Sequence, residues 1–201
     1  VASPGAGPAV TRDASVAVIF RVAYGDALEL LMIERASYEG DPWSGHVAFP
    51  GGRRELEDAT LLDTAVREMR EELGVDLRTT GRVLGGLERV GPMSPVLPAI
   101  SIAPIVFHMT RFVPLVPSDE VAKAFWVPLA ALRHADASRE VDVTHANGTR
   151  PTVRAFVHGG YPIVRLHELI NADLLSRLSE PLPHHRPTPC RGVPLPAMPG
   201  P

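Results

Sequence analysis

The sequence predicts an α/β fold, in which a central helix lies between β-strands. Two apolar runs, residues 14–23 and 28–33, contain the β-branched and aromatic residues that are typical of strands. Between Thr60 and Gly74 the apolar residues instead recur four positions apart, which indicates one face of a helix. Of the 201 residues, 45% are hydrophobic and 21% are charged, so the chain is long and apolar enough for one globular domain with its own core.

The first two runs predict a β-hairpin. Residues 24–26, which separate them, read Tyr-Gly-Asp and are suited to a turn. Residues 46–49 predict a short third strand, and this strand leads into a loop formed by the glycines at positions 51 and 52.

The central helix has recognisable signals at both ends. Thr60 and Asp63 predict a capping box at its start, and Gly74 is suited to its end. The residues predicted to face the core are Leu61, Ala65, Met69 and Leu73. Glu68 and Glu72 are expected on a different face.

The rest of the chain completes the predicted domain. Strands are predicted at 82–90 and 100–109. Residues 120–126 then lead into 127–129 and a short helix through 132, followed by a hairpin of 153–157 with 161–164 and a helix at 166–178. Residues 1–13 are predicted to be disordered, 14–180 to form the domain, and 181–201 to form a tail. Proline is too frequent in that tail for a helix or a central strand.

Composition excludes several classes of function. The net charge is −3 and the basic residues are dispersed, which argues against a nucleic-acid-binding face. No apolar run reaches the roughly 20 residues of a membrane-spanning helix, so no membrane partner is expected. A signal-peptide pattern is absent and Cys190 is the single cysteine, which favours a cytoplasmic location.

Three acidic residues stand out in the last turn of the predicted helix. Glu68, Glu71 and Glu72 are spaced i, i+3 and i+4, so their carboxylates lie on one face and repel one another. No basic residue is expected one turn away to neutralise Glu68 or Glu72. Such a face is often only solvated surface, but carboxylates are also the ligands that Mg²⁺ prefers. The pattern therefore predicts a metal site.

The same residues resemble a known family. Residues 67–75, Arg-Glu-Met-Arg-Glu-Glu-Leu-Gly-Val, match the core of the Nudix box, and Phe-Pro-Gly-Gly at 49–52 matches its lead-in. The spacing from Gly52 to Arg67 is one residue longer than usual, and the intermediate acid is Asp58 or Glu57 instead of a glutamate in register. The resemblance to Nudix hydrolases implies an α/β/α sandwich with a mixed sheet and a central metal-binding helix.

The resemblance also implies a chemistry. Glu68 and Glu72 would be direct ligands of Mg²⁺ or Mn²⁺, with Glu71 a ligand or a water-mediated partner and a carbonyl of Gly51 or Gly52 a further one. The metal would assist water attack on a diphosphate in a small-molecule nucleoside diphosphate derivative. The chain is expected to act as a monomer or homodimer.

The other candidate residues surround this box. Arg67 is spaced to orient Glu71, whereas the general base is left open between Glu71, Glu68 and Glu120. Three arginines near the Gly-Gly loop are candidates for contact with substrate phosphates, Arg35, Arg53 and Arg54. Trp43 is either a stacking platform for a base or a residue at the edge of the core.

One branch of the family fits best. Residues 30–36 and 44–52 resemble the coenzyme A diphosphatases, which share the longer spacing and the aspartate at position 58. Two features depart from that branch, an acidic loop at 39–43 and the lack of Trp-Gly near 164–166. ADP-ribose, NADH or a dinucleotide are alternative substrates. A non-catalytic nucleotide-binding protein is a further alternative, against which the retention of all three glutamates argues.

Overall fold

The computed structural model describes residues 12–38, 44–91, 100–132, 138–142, 150 and 152–163. All of them belong to the compact unit Val1–Ile170. Several sequence predictions lie outside the described residues: most of the N-terminal segment, the acidic loop with Trp43, the helix at 166–178, and the tail with Cys190. The boundary predicted at residue 180 also lies outside them.

Ten strands and three helices are described. In chain order they are β1 (Arg12–Val22), β2 (Leu28–Arg35), β3 (Val47–Ala48), β4 (Gly51–Arg53), α1 (Leu61–Leu73), α2 (Leu77–Thr80), β5 (Gly81–Gly86), β6 (Ile100–Met109), β7 (Val121–Pro128), α3 (Leu129–Leu132), β8 (Ser138–Asp142), β9 (Thr152–His158) and β10 (Tyr161–Ile163). None of the helices in the described part of the chain has the length and apolar character needed to cross a membrane.

The main sheet has seven strands and is mixed. Its order is β3-β2-β1-β6-β5, with β4 also paired to β1 and β7 also paired to β2. Strand β1 is antiparallel to β2 and β4 but parallel to β6. The buried Ser15 hydroxyl ties the parallel pair together, because it donates to the carbonyl of Ala103, 88 residues away. Strands β10, β9 and β8 form a second, antiparallel sheet. The predicted α/β class is confirmed.

Helix α1 packs on the main sheet through the predicted apolar stripe. Ala65, Met69 and Leu73 are fully buried, in one cluster with Ile19 of β1 and Phe107 of β6. Burial of each large apolar side chain stabilises the fold by about 1.5–3 kcal/mol. The helix ends are also as predicted: a capping box joins Thr60 and Asp63, and Gly74 adopts a left-handed conformation with φ of 68°.

The structure differs from the sequence prediction at several elements. The glycines at 51 and 52 lie in a strand, β4, instead of a loop. Strand β5 ends at Gly86, and only an isolated bridge from Val90 to Ile102 continues that predicted strand. The short helix α2 and the polar strand β8 were not predicted. Each is only four or five residues long and shows too little apolar periodicity to be recognised.

Candidate functional site

Strand β4 holds the Gly-Gly backbone against the end of helix α1. Gly51 pairs with Val16 and Gly52 with Ser15, both on β1. The backbone N–H of Gly51 donates to Oε2 of Glu72 over 2.9 Å. Gly52 lies so close to Glu68 that an added Cβ atom would overlap its carboxylate. The two glycines thus bring backbone into contact with two of the three glutamates.

Alanine at each glycine is expected to have a different effect. Gly51 has φ of 149°, and an added Cβ would overlap the backbone of Ser15 and Val16. We therefore expect Gly51→Ala to lower the free energy of unfolding by about 2–3 kcal/mol. At Gly52 the obstacle is only the mobile end of Glu68, so Gly52→Ala should cost less than about 1 kcal/mol but displace that carboxylate.

Urea unfolding and catalytic activity, measured on both variants, separate the two effects. Gly52→Ala should unfold near the wild-type midpoint and yet lose most activity. Equal destabilisation of the two variants, or full activity in Gly52→Ala, would contradict the conclusion that Gly51 is needed for the fold and Gly52 for the position of the Glu68 carboxylate.

Glu72 is buried, with 3% of its surface exposed. The prediction that it lies on a face away from the core is therefore wrong. Burial is the main cause that raises the pKa of Glu72 to about 8, and the charges of Glu68 and Glu120 act in the same direction. The N–H of Gly51 and the charge of Arg35 oppose this rise in pKa. A carboxyl in this state favours a proton or a cation.

Glu68 is the second carboxylate of the site, and its side chain is 14% exposed. Burial raises the pKa of Glu68, and the charges of Glu71 and Glu120 raise it further. Nη2 of Arg67 lies 3.0 Å from Oε1 of Glu68 and opposes this rise in pKa. The expectation named only residues one turn away, and it did not consider Arg67, the adjacent residue, whose side chain folds back to Glu68.

Arg67 joins the helix to the loop before it. Its guanidinium donates to the Asp58 carboxylate at 3.1–3.4 Å, to Oε2 of Glu71 at 2.7 Å, and to the carbonyl of Arg53 at 2.9 Å.

Burial acts to raise the pKa of Asp58. Hydrogen bonds from Arg67, Glu55 and Thr64 outweigh it, so this pKa lies below its ordinary value. Of the two candidates for the intermediate acid, Asp58 contacts Arg67, whereas Glu57 is exposed.

Glu71 has a different environment from the other two glutamates. Its side chain is 54% exposed and is held by Arg67. Among the three acids of the box, Glu71 is therefore the one most open to solvent.

The loop before β7 brings Glu120 to the same site. Backbone N–H groups of Val116 and Ser118 donate to the last helical carbonyls, those of Leu73 and Glu72, at 2.9 and 2.8 Å. The Glu120 carbonyl accepts from the N–H of Ala36 at 2.8 Å. Sequence reasoning missed this anchor, because backbone donors leave no signal in residue type. Glu120 lies close enough to raise the pKa values of both Glu68 and Glu72.

The three candidate arginines lie in different places. Arg35 ends β2 and lowers the pKa of Glu72 through its charge, so it belongs to the site. Arg53 follows Gly52 and is exposed. Arg54 donates to the carbonyls of Asp58 and Ala59 at 3.0–3.1 Å, which stabilises its own loop. Arg35 and Arg53 are therefore better placed for a substrate than Arg54.

The donor set suits a hard divalent cation. Among the described residues, no three His, Cys, Asp or Glu side chains form a ready-made metal cluster. Magnesium, however, is commonly held by one or two carboxylates together with water and substrate phosphates. Glu68 and Glu72, both in contact with the Gly51–Gly52 backbone and both with raised pKa values, fit that requirement.

Comparison with known proteins finds a family model and relatives that match this chain. The family model for the NUDIX domain matches residues 11–146. An uncharacterized protein of Schizosaccharomyces pombe is 34% identical over 64% of the chain and 40% of its own length. The uncharacterized Nudix hydrolase NudL of Pectobacterium atrosepticum is 35% identical over 49% of the chain and 50% of its own length. The chain thus spans half or less of these curated relatives.

A solved structure shows the same fold. The Nudix hydrolase RenU from M. smegmatis superposes with a TM-score of 0.55 and 18% identity. The superposition covers 85% of this chain and 88% of that one.

Proposed function

The chain belongs to the family of proteins that carry a NUDIX domain, and from that premise we propose that it is a metal-dependent diphosphatase. Its substrate is a nucleoside diphosphate derivative, with coenzyme A as the first candidate. The observation that carries the proposal is the pair Glu68 and Glu72, held together against the Gly51–Gly52 backbone with raised pKa values. Groups in that state favour a bound cation.

The metal would be held by few protein groups. Glu68 and Glu72 would supply carboxylate oxygens to Mg²⁺ or Mn²⁺, and the Gly52 carbonyl is a further candidate. When bound, the ion supplies Lewis-acid activation of the diphosphate and of water. Arg35 and Arg53 would orient the phosphates by paired hydrogen bonds, which guanidinium groups form well.

Glu120 is the residue that we assign as general base. It is exposed, and its charge reaches both Glu68 and Glu72. Glu71 is instead held by Arg67, and Glu68 is committed to the metal in this proposal. In this arrangement Glu120 accepts the proton of the attacking water, while the loop anchored on the end of α1 fixes its position.

The raised pKa of Glu72 links metal binding to pH. Its pKa is about 8 in the folded chain against an ordinary 4.5, so the folded state binds this proton more tightly than the unfolded state. The stability that Glu72 contributes is therefore complete below about pH 4.5 and is lost as the pH rises through 8. A cation binds the charged form, so Mg²⁺ should raise the melting temperature more at pH 8 than at pH 6.

Thermal unfolding in EDTA and in Mg²⁺ at both pH values measures this linkage. The Glu72→Gln variant is the control. Without metal, it should not show the loss of stability between pH 6 and pH 8 that the Glu72 carboxylate causes in the wild-type protein. A magnesium effect equal at pH 6 and pH 8 in the wild-type protein would contradict proton competition at Glu72.

The substrate is proposed from the sequence around the site. Residues 30–36 and 44–52 resemble coenzyme A diphosphatases, and Asp58 holds Arg67 at the position where that branch has an aspartate. A panel of coenzyme A, ADP-ribose, NADH and dinucleoside polyphosphates, each with Mg²⁺ and with Mn²⁺, tests the choice. We expect coenzyme A to yield a phosphopantetheine product and an adenosine bisphosphate. Selective cleavage of another compound would keep the mechanism and reject coenzyme A.

A further inference from the structure

The loop before β7 contains a β-turn that carries the Glu120 side chain. The N–H of Val121 donates to the carbonyl of Ser118 over 3.0 Å, so Asp119 and Glu120 are the two central residues of this turn. The peptide group between them is the central peptide of the turn. Rotation of that peptide changes the φ angle of Glu120 and with it the direction of the carboxylate. The contacts that hold this peptide therefore determine where the carboxylate lies.

Tyr38 holds this peptide from outside the loop. Its hydroxyl donates to the carbonyl of Asp119 over 2.8 Å. The next peptide is held by the same segment, because the N–H of Ala36 donates to the carbonyl of Glu120, also over 2.8 Å. The two peptide groups that flank Glu120 are thus both bonded to the residues that follow β2. The bond from Ala36 belongs to the backbone, whereas the bond from Tyr38 depends on one hydroxyl group.

Ser44 fixes the backbone of Tyr38. The N–H of Tyr38 donates to Oγ of Ser44 over 2.9 Å, and this Oγ donates to the carbonyl of Tyr38 over 2.8 Å. Tyr38 is 49% exposed, so water competes for the bond that its hydroxyl makes. Such a bond adds little to global stability. The Tyr38 hydroxyl is therefore better suited to orient the turn than to stabilise the fold.

The turn lies between two elements of the carboxylate site. The β2–β7 register shifts between Glu34 and Arg35, so that Arg35 pairs with Val121. Bulges of this kind redirect side chains and are frequent beside active sites. On the other side of the turn, the N–H of Ser118 donates to the carbonyl of Glu72 over 2.8 Å. The turn is thus bonded both to the end of α1 and to the end of β2.

We infer that Tyr38 is a positioning residue, whose hydroxyl directs the Glu120 carboxylate toward Glu68 and Glu72. The inference rests on the proposed function, in which Glu120 is the general base. A base has to lie within hydrogen-bond reach of the attacking water, and a displacement of about 1 Å is enough to lower turnover strongly. Substrate binding does not use this carboxylate, so the effect of Tyr38 falls on kcat and not on KM.

Amide hydrogen exchange in the metal-free protein tests the contact without turnover. In Tyr38→Phe, the amides of Ala36 and Val121 should exchange about fivefold faster, which corresponds to one lost hydrogen bond. The amide of Ile19, in the core, should not change. Tyr24→Phe is the matched control, because it removes the hydroxyl of a fully exposed tyrosine and should leave all three rates unaltered. Unchanged exchange of Ala36 and Val121 in Tyr38→Phe would overturn the inference.

Ser44→Ala is a second variant that keeps the test valid if Tyr38→Phe does not fold. It retains the Tyr38 hydroxyl but removes the two bonds that fix the Tyr38 backbone. Exchange of Ala36 and Val121 should again be faster, by a smaller factor than in Tyr38→Phe. Wild-type rates at both amides would count against the inference.

Kinetics with a substrate from the panel test whether Tyr38 acts through Glu120. Tyr38→Phe should lower kcat about tenfold and change KM less than about twofold. Adding Tyr38→Phe to Glu120→Gln should cause no further loss, since the carboxylate that Tyr38 directs is already absent. Additive losses would overturn the inference and leave the diphosphatase intact.

Two other outcomes concern the proposed function itself. Wild-type kcat in Glu120→Gln would overturn both the assignment of the base and the role of Tyr38. A wild-type protein that hydrolyses no member of the panel would reject the diphosphatase, and the exchange rates would then decide alone whether Tyr38 holds the turn.

Discussion

Replacement of Glu72 by glutamine is expected to lower kcat/KM by about 10³-fold, because the proposed metal site would lose a ligand and with it several kcal/mol of transition-state stabilisation. Glutamine keeps the volume of the side chain and an oxygen that can accept from the N–H of Gly51. The fold should therefore persist. The metal-free variant should even be more stable than wild type at pH 8, since a buried charge with a pKa of about 8 is removed.

The measurement combines steady-state kinetics with urea unfolding in EDTA. Glu57→Gln is the matched control, because it removes an exposed acid from the loop before the same helix and should leave both quantities unchanged. A Glu72→Gln enzyme within about twofold of wild-type kcat/KM would contradict the metal assignment.

Replacement of Arg67 by methionine is expected to lower the free energy of unfolding by about 3–5 kcal/mol. The side chains of Arg67 and Asp58 are only 13% and 5% exposed, so this variant leaves Asp58 as a buried carboxylate without its partner. The hydrogen bonds that Arg67 donates to Glu71 and to the Arg53 carbonyl are lost as well. Urea unfolding at pH 7 measures the effect.

Arg70→Met is the control for this loss of charge, because Arg70 is exposed on the same helix and its substitution should cost less than about 0.5 kcal/mol. Adding Asp58→Asn to Arg67→Met should recover part of the stability, with a coupling of about 1–3 kcal/mol. Strictly additive effects of the two substitutions would show that the ion pair does not hold the loop to the helix.

Sequence patterns correctly predicted the elements whose capping residues, turn residues and apolar runs agree with the contacts that these elements make in the fold. Helix α1 begins and ends where Thr60 and Gly74 indicate, because capping and a left-handed glycine are local properties. The hairpin of β1 and β2 formed for the same reason, with turn residues between two apolar runs. The spacing of Glu68 and Glu72 was also sufficient to identify the acidic end of the helix.

The missed features depend on contacts between distant residues. Gly51 lies in a strand because β1 offers it pairing partners, although glycine itself disfavours strands. Glu72 was misplaced for a different reason, because a helical wheel puts it roughly 20° from Ala65 on the face that packs on the sheet, and the backbone of β4 completes its burial. The contact of Arg67 with Glu68 depends on how the arginine side chain bends toward Asp58, and residue spacing does not specify that.

The parallel pairing of β1 with β6 has a consequence for the folding kinetics. The bond from Ser15 to Ala103 closes 88 residues of chain, and β4 and α1 both lie within that loop. Closing a flexible loop of this size costs about 4 kcal/mol of chain entropy, and such long-range contacts are associated with refolding in milliseconds to seconds. The contact of Glu72 with Gly51 spans only 21 residues and does not require that closure, so the slow phase is expected to report the pairing of β1 with β6 and not the approach of the two glutamates to the Gly51–Gly52 backbone.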